Sequence, residues 1–144
     1  MTQTQRGVFL VLEGISGAGK STLAARFASL PGWIKEATIT PDLTGLLDTI
    51  DVHATAADHM GFWLALQYAI RARIEPDLLA GRNVVLESYV YRTIASHSVL
   101  IDGPPPKVDW SRALEPDLAV LLDAKEPVRL ARIGARDAAY AEGV

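Results

Sequence analysis

Gly14-Ile15-Ser16-Gly17-Ala18-Gly19-Lys20-Ser21 is the stretch that decides the fold. It satisfies G-x-x-x-x-G-K-[ST] in full, directly after the apolar run Gly7-Val8-Phe9-Leu10-Val11-Leu12 and Glu13, and directly before the helix-compatible Thr22-Leu23-Ala24-Ala25-Arg26-Phe27. Glycines open backbone angles closed to other residues, so successive N–H groups converge on phosphate oxygens at a helix N-terminus. This reading assigns Gly14, Ser16, Gly17, Ala18, Gly19, Lys20, Ser21 and Thr22 to the phosphates of a nucleotide. Lys20 bridges the outer phosphates as a catalytic charge, and Ser21 offers its hydroxyl to Mg²⁺, which joins one or two protein ligands to substrate phosphates.

Outward from the loop, Asn83-Val84-Val85-Leu86-Glu87 and Leu118-Ala119-Val120-Leu121-Leu122-Asp123 share the non-alternating apolar character of strands buried on both faces. Ala37-Thr38-Ile39-Thr40 is a weaker strand candidate. Helical spacing covers Lys20 to Leu30, about Ala54 to Ala80, Tyr91 to Leu100 and Pro127 to Ala139. Strand alternating with helix predicts an α/β fold, a parallel sheet with helices on both faces and ligands outside the carboxyl ends of the strands. Two of those ends carry carboxylates, Glu87 and Asp123; Asp123 also suits the cap of the helix begun near Pro127.

The 144 residues suit one domain, 1–144, and a chain of that length buries roughly 68–70% of its unfolded surface. Apolar residues at 49% and charged residues at 22% exclude general disorder. A net charge of −3 offers no broad attraction to nucleic acid or anionic lipid, so neither is an expected partner and any phosphate site is local. The absence of cysteine excludes disulfides, thiolate zinc sites and thiol catalysis. Met1 to Gly7 lacks the build of a signal peptide, and the nearly apolar run Met60 to Ile70 is too short to span a bilayer, so a soluble, cytoplasmic protein is expected. Asp102 to Lys107, rich in proline, reads as a surface loop.

Glu87, a strand-end acid facing the loop, suits either water-coordinated Mg²⁺ or an acceptor's proton, a metal or a catalytic role. Arg132 and Arg136 are four apart, share a helix face and can reach the β/γ bridge as charge develops. Asp42 is an acceptor-side candidate. Glu13, just before the loop, suits a brace of the loop's backbone, and His53, His59 and His97 have no metal-ligand spacing. The guanine-reading N-K-x-D is absent, and small size points to a small-molecule kinase.

With these residues in view, the chain resembles the thymidylate kinase family and its nucleoside and nucleotide kinase relatives. The likeness rests on Phe9 to Gly14 running into Gly17 to Thr22, on Ile74-Glu75-Pro76-Asp77-Leu78 followed by Gly81, and on Pro116-Asp117-Leu118 leading to Leu122-Asp123. Glu126 to Ile133 and Arg136 look like the family's helix leading into an arginine-bearing lid. The resemblance implies a P-loop, three-layer fold and ATP- and Mg²⁺-dependent transfer of the γ-phosphoryl group to a nucleotide or nucleoside.

Several departures bear on the acceptor. Where the family carries Asp-Arg-Tyr after the third strand, this chain reads Glu87-Ser88-Tyr89: the carboxylate and the aromatic Tyr89 persist, and the phosphate-binding arginine is lost. Arg71, Arg73 or Arg92 can replace it, with Arg92 placed best. Aligned without gaps from Pro76, the family's base-stacking phenylalanine falls on Phe62 and its base-contacting arginine on Leu66, while its Tyr-Gln pair becomes Ser96-His97. Thymidylate is therefore expected to be a poor substrate. The resemblance also implies a fifth strand and a closing helix after the lid, whereas the sequence stops at Val144. An incomplete kinase core is expected, its open edge covered by a longer chain or by a partner such as a second copy in a homodimer.

The leading reading is phosphorylation of a small acceptor, a nucleoside monophosphate. A kinase for a nucleoside or non-nucleotide metabolite, and a nucleotide-binding protein without catalysis, stand beside it.

Overall fold

The computed structural model describes residues 5–40, 43–104 and 107–141. Phe9–Glu13 forms β1, buried along its whole length. With β2 (Trp33–Glu36), β3 (Asn83–Glu87) and β4 (Leu118–Leu121) it makes a four-stranded sheet of order β2-β3-β1-β4. Every pairing is parallel, with Phe9 in register with Val84, Leu10 with Leu118 and Trp33 with Asn83. Parallel strands need long crossovers. These are α1 (Lys20–Ala28), the pair α2 (Thr44–His53) and α3 (Ala56–Leu79), and a segment that includes α4 (Val90–His97); α5 (Glu126–Ala141) follows β4.

The continuous apolar run of β1 is split by the two-residue strand period into two cores. Phe9 and Val11 face Met60, Leu64, Ile70, Ile74 and Leu78 of α3, with Val84, Leu86, Tyr89 and Val90 completing that side. Leu10 and Leu12 face Ala24 of α1, joined by Val85 and by the partly buried Leu23, Phe27 and Trp33. The three-layer α/β architecture implied by the sequence is the one found, and its two apolar faces place the loop after β1 between the layers.

Local chemistry sets the helix ends. Thr55 and Asp58 form a reciprocal capping box at the start of α3, the Asp58 N–H donating to Thr55 Oγ1 at 3.2 Å and the Thr55 N–H to Asp58 Oδ2 at 3.3 Å. At its other end the Gly81 N–H donates to the Leu78 carbonyl at 2.9 Å and the Arg82 N–H to the Asp77 carbonyl at 3.0 Å. The Pro-Asp-Leu stretch holds the sheet together, because Asp117 Oδ2 accepts from the Phe9 N–H at 2.7 Å and from Arg6 Nη1 at 2.7 Å, pinning β1 beside β4. Partial burial pushes the Asp117 carboxyl up, but the Phe9 N–H and the Arg6 guanidinium outweigh it and hold it below the usual range. A depressed carboxylate lends stability above its unfolded pKa and loses it as pH falls through the folded value. Asp117→Ala loses the Phe9 N–H and Arg6 partners and is expected to cost about 1 kcal/mol near neutrality, since solvent screens the half-exposed carboxylate. Urea unfolding at a series of pH values should show that cost shrinking in acid; a cost constant with pH would contradict this assignment.

Three expectations are corrected. The second strand is Trp33–Glu36, not Ala37–Thr40: Trp33 packs on Phe27, ring centroids 4.6 Å apart, and Lys35 and Glu36 break the apolar signal of an edge strand. Ala37 to Thr40 instead runs past the strand end, where Thr38 Oγ1 donates to the Ser88 carbonyl at 3.2 Å. α2 was not foreseen, since it has no side-chain cap and contains Gly45. β4 stops at Leu121, leaving Asp123 exposed beyond it. Of the proline-rich loop, Pro105 and Pro106 lie outside the described residues. Among the described residues β4 has no partner on its outer edge, and Leu118 and Leu121 are 54% and 77% exposed. No helix among the described residues is long and apolar enough to cross a membrane.

Candidate active site

β1 ends at Glu13 and the chain turns through the glycine-rich loop into α1. Gly14 (φ 140°) and Gly17 (φ 79°) hold angles that other residues rarely adopt. Space forbids a side chain as well: a Cβ on Gly14 would lie 2.4 Å from the Leu122 carbonyl oxygen, and one on Gly17 2.7 Å from that of Arg129. α1 has neither a side-chain cap nor an acid in its first turn, so its positive end is left to the loop. Lys20 Nζ donates to the carbonyls of Gly14 at 2.6 Å and Ile15 at 3.1 Å. Burial and the nearby charge of Arg92 lower its pKa, opposed by Glu87 and Glu13.

The parallel pairing of β1 and β3 sets Glu87 level with Leu12, beside the loop. Ser21 Oγ–H donates to Glu87 Oε2 at 2.6 Å, and Lys35 Nζ pairs with Oε1 at 2.6 Å. One hydroxyl and one carboxylate are a donor set that suits Mg²⁺ bound mainly through phosphates and water. Among the described residues no cluster of three or more His, Asp or Glu offers a self-sufficient metal cage. Ser88 follows in the left-handed region (φ 60°), and its hydroxyl accepts from Arg92 Nη1 at 3.2 Å. Tyr89 is buried; its N–H donates to Glu13 Oε1 at 2.9 Å, and its hydroxyl accepts from the Leu114 N–H at 3.0 Å. Glu13 braces the backbone after β3 at Tyr89, not the phosphate loop as expected from the sequence, and burial pushes its carboxyl up despite the Tyr89 and Arg92 N–H groups.

A cavity of about 880 Å³ runs from the loop to the facing sides of α3 and α4. It brings together Ser16, Gly17, Gly19, Lys20, Ser21, Thr22, Glu87, Tyr89, Arg92, Arg132 and Arg136. Gly14 and the buried Ala18 belong to the loop without lining the cavity. Arg132 Nη1 donates to the Gly17 carbonyl at 3.1 Å, and Arg136 pairs with its neighbour Asp137. Arg129, not singled out from sequence, donates from Nη1 to the Ser16 carbonyl at 3.2 Å, so α5 is fastened to the loop twice.

Among the described residues three candidates, Phe62, Arg71 and Arg73, do not line the cavity. Phe62 does not line the cavity: it stands edge-on to Trp63, ring centroids 6.1 Å apart, and Trp63 takes the lining position. Arg71 is held on another surface by Glu75, Nη2 to Oε1 3.1 Å, and by the Ser111 carbonyl. Asp42 lies outside the described residues. Arg73 also stays off the lining, paired with Glu36 and the Ala37 carbonyl.

Of the far wall, the sequence offered only the Ser96-His97 pair, as positions of the resemblance. Trp63 Nε1–H donates to His59 Nε2 at 3.1 Å, His59 Nδ1 meets His97 Nε2 at 2.7 Å, and His97 Nδ1 meets the Thr93 carbonyl at 2.7 Å. Because a carbonyl only accepts, His97 carries its proton on Nδ1 and, when neutral, accepts at Nε2 from His59 Nδ1–H. Gln67 Nε2 donates to Thr93 Oγ1 at 2.7 Å, while its buried Oε1 has no protein partner among the described residues. The available signal was the four-residue spacing of His59, Trp63 and Gln67 through the nearly apolar stretch that begins at Met60.

No family model matches the chain. Among curated proteins, it is 33% identical over 150 residues to the thymidylate kinase of Chromobacterium violaceum, covering 92% of this chain and 70% of that one. It is 34% identical to that of Bordetella petrii, covering 94% and 71%, and 33% identical to that of Xanthomonas campestris pv. campestris, covering 92% and 63%. Solved thymidylate kinases share the fold: that of Candida albicans superposes with a TM-score of 0.68 at 21% identity over 85% of this chain and 66% of that one, and that of Ehrlichia chaffeensis with 0.61 at 16% over 96% and 85%. The chain thus spans about two thirds of the length of its curated relatives. Set beside the phosphate loop and the parallel sheet, this likeness places the chain in the thymidylate kinase family, a family of P-loop nucleotide kinases.

Proposed function

We propose that this chain carries out ATP- and Mg²⁺-dependent phosphoryl transfer to a small acceptor, a nucleoside monophosphate. The observation that carries the reading is the junction of Ser21 and Glu87 at the mouth of the loop, opening into one cavity shared by Lys20, Arg92, Arg132 and Arg136. Ser21 and Glu87 would hold Mg²⁺, which neutralises phosphate charge when bound. Lys20, at the start of α1, meets the outer phosphates with a fixed positive charge. Arg132 and Arg136 stabilise charge on the transferring group from α5, and the loop N–H groups orient the donor. Arg92 approaches the acceptor from α4, the helix that the buried Tyr89 begins.

Leu66, Ser88 and the Ser96-His97 pair stand where the family resemblance places partners of thymidylate, and a site stripped of such partners loses discrimination by orders of magnitude. Thymidylate is therefore expected to be a poor acceptor; efficient phosphorylation of it in steady-state assays would contradict that. The changed position Ser88 also favours a second reading, a nucleoside or non-nucleotide metabolite as acceptor. ADP release measured over a panel of monophosphates, nucleosides and other hydroxyl-bearing metabolites separates the two. Acceptor-dependent release with a monophosphate supports the first reading, and release only with an uncharged acceptor overturns it. The same reading takes residues 1–144 as one kinase-like domain, cytoplasmic, with the β4 edge as the place where a further strand or a second copy adds.

A further inference from the structure

We propose that Lys35 determines acceptor specificity, seating the acceptor's phosphate from β2 while Arg92 holds it from α4. The inference rests on the monophosphate reading above and deepens it. In the parallel register Lys35 is level with Val85 and Glu36 with Leu86, so β2 ends beside the carboxyl end of β3 and carries Lys35 to the cavity wall. There its Nζ sits 2.6 Å from Glu87 Oε1, while Ser21 occupies Oε2.

The charge balance of the cavity points to an anion. Among the described residues its lining holds Lys20, Lys35, Arg92, Arg132 and Arg136 against Glu36 and Glu87; Glu36 is paired with Arg73 and Arg136 with Asp137, which leaves four cations facing Glu87. Positive charges gathered in a cleft repel one another until an anion enters. Lys20 and Arg92 are near enough for the guanidinium to oppose protonation of the amine. These cations divide between two ends. Lys20 and Arg132 are bound to loop carbonyls, at the donor end. Lys35 comes from β2 and pairs with Glu87, while Arg92 comes from α4 and donates to the Ser88 hydroxyl, and neither is hydrogen-bonded to a loop carbonyl among the described residues. The Lys35 side chain is 37% exposed. Its four-carbon stem lets Nζ leave Oε1 for a phosphate oxygen by rotamer change alone.

The test compares the parent with Lys35→Met, Lys35→Gln and Lys35→Arg, all checked for folding by circular dichroism. Calorimetry measures Kd for ATP, for a nucleoside monophosphate that the parent phosphorylates and for the matching nucleoside. Removing the charge should weaken the monophosphate about ten- to hundredfold, the range of a charge-assisted hydrogen bond. Nucleoside and ATP affinity should stay as in the parent, and Lys35→Arg should restore most of the loss. If Lys35 only braces Glu87, both neutral variants will lower kcat and keep the parent's preference for monophosphate over nucleoside, which overturns the proposal and leaves the monophosphate reading intact. A parent that binds and phosphorylates the nucleoside as well as its monophosphate overturns both.

Discussion

Lys20→Ala is expected to fold and to fail at the donor site, with kcat/KM for ATP reduced on the order of 10²–10³ or more, the range for removing one fixed group that stabilises transition-state charge. Lys20 is the cation at the start of α1, and the other cations of the cavity come from other elements: Lys35 from β2, Arg92 from α4, Arg132 and Arg136 from α5. The variant loses two hydrogen bonds to the carbonyls of Gly14 and Ile15, which leaves the apolar faces of β1 untouched, so far-UV circular dichroism should match the parent. Lys20→Arg should not rescue, because a planar guanidinium does not fit a place made for a compact ammonium. Calorimetric ATP affinity equal to the parent, with turnover preserved, would contradict the loop's assignment.

Glu87→Gln is expected to act differently. Its side chain accepts from Ser21 Oγ–H on one oxygen and from Lys35 Nζ on the other, and the substitution keeps the shape while removing the charge and one acceptor. A charge that acts on the transferring group lowers kcat and leaves ground-state ATP binding nearly as it was. A loss in kcat of about 10²-fold or more fits a general base or a metal-shell carboxylate. Single-turnover kinetics beside ATP calorimetry makes the distinction: parent-like turnover removes Glu87 from the chemistry, and a loss confined to ATP affinity makes it a binding residue.

The phosphate-loop end of the cavity was legible because its demands are local. A loop that must present N–H groups requires Gly14, Gly17 and Gly19 and a following lysine and hydroxyl, and no distant contact is needed to read them. β1 was legible for a similar reason, since a strand buried on both faces has a continuous apolar run. The far end of the cavity depends on tertiary placement. Lys35 reaches the site only because Trp33–Glu36 is a strand, and its charged second half hid that strand by breaking the apolar run. His59 and His97 are 38 residues apart and become neighbours only where α3 packs against α4. Phe62 and Trp63 are adjacent on one helix, so a shift of one position, about 100° around the axis, decides which ring lines the cavity and which does not. Arg71 carried the right charge, yet Glu75 one turn along α3 had already claimed it.

The most direct test of phosphoryl transfer is ³¹P NMR of the protein with ATP, Mg²⁺ and a panel of nucleoside monophosphates. A working kinase predicts that, for at least one of them, the monophosphate signal is replaced by the paired resonances of its diphosphate in step with conversion of ATP to ADP, and that Lys20→Ala stops both. ATP unchanged with every monophosphate, or ATP converted to ADP and inorganic phosphate while each monophosphate persists, would contradict it.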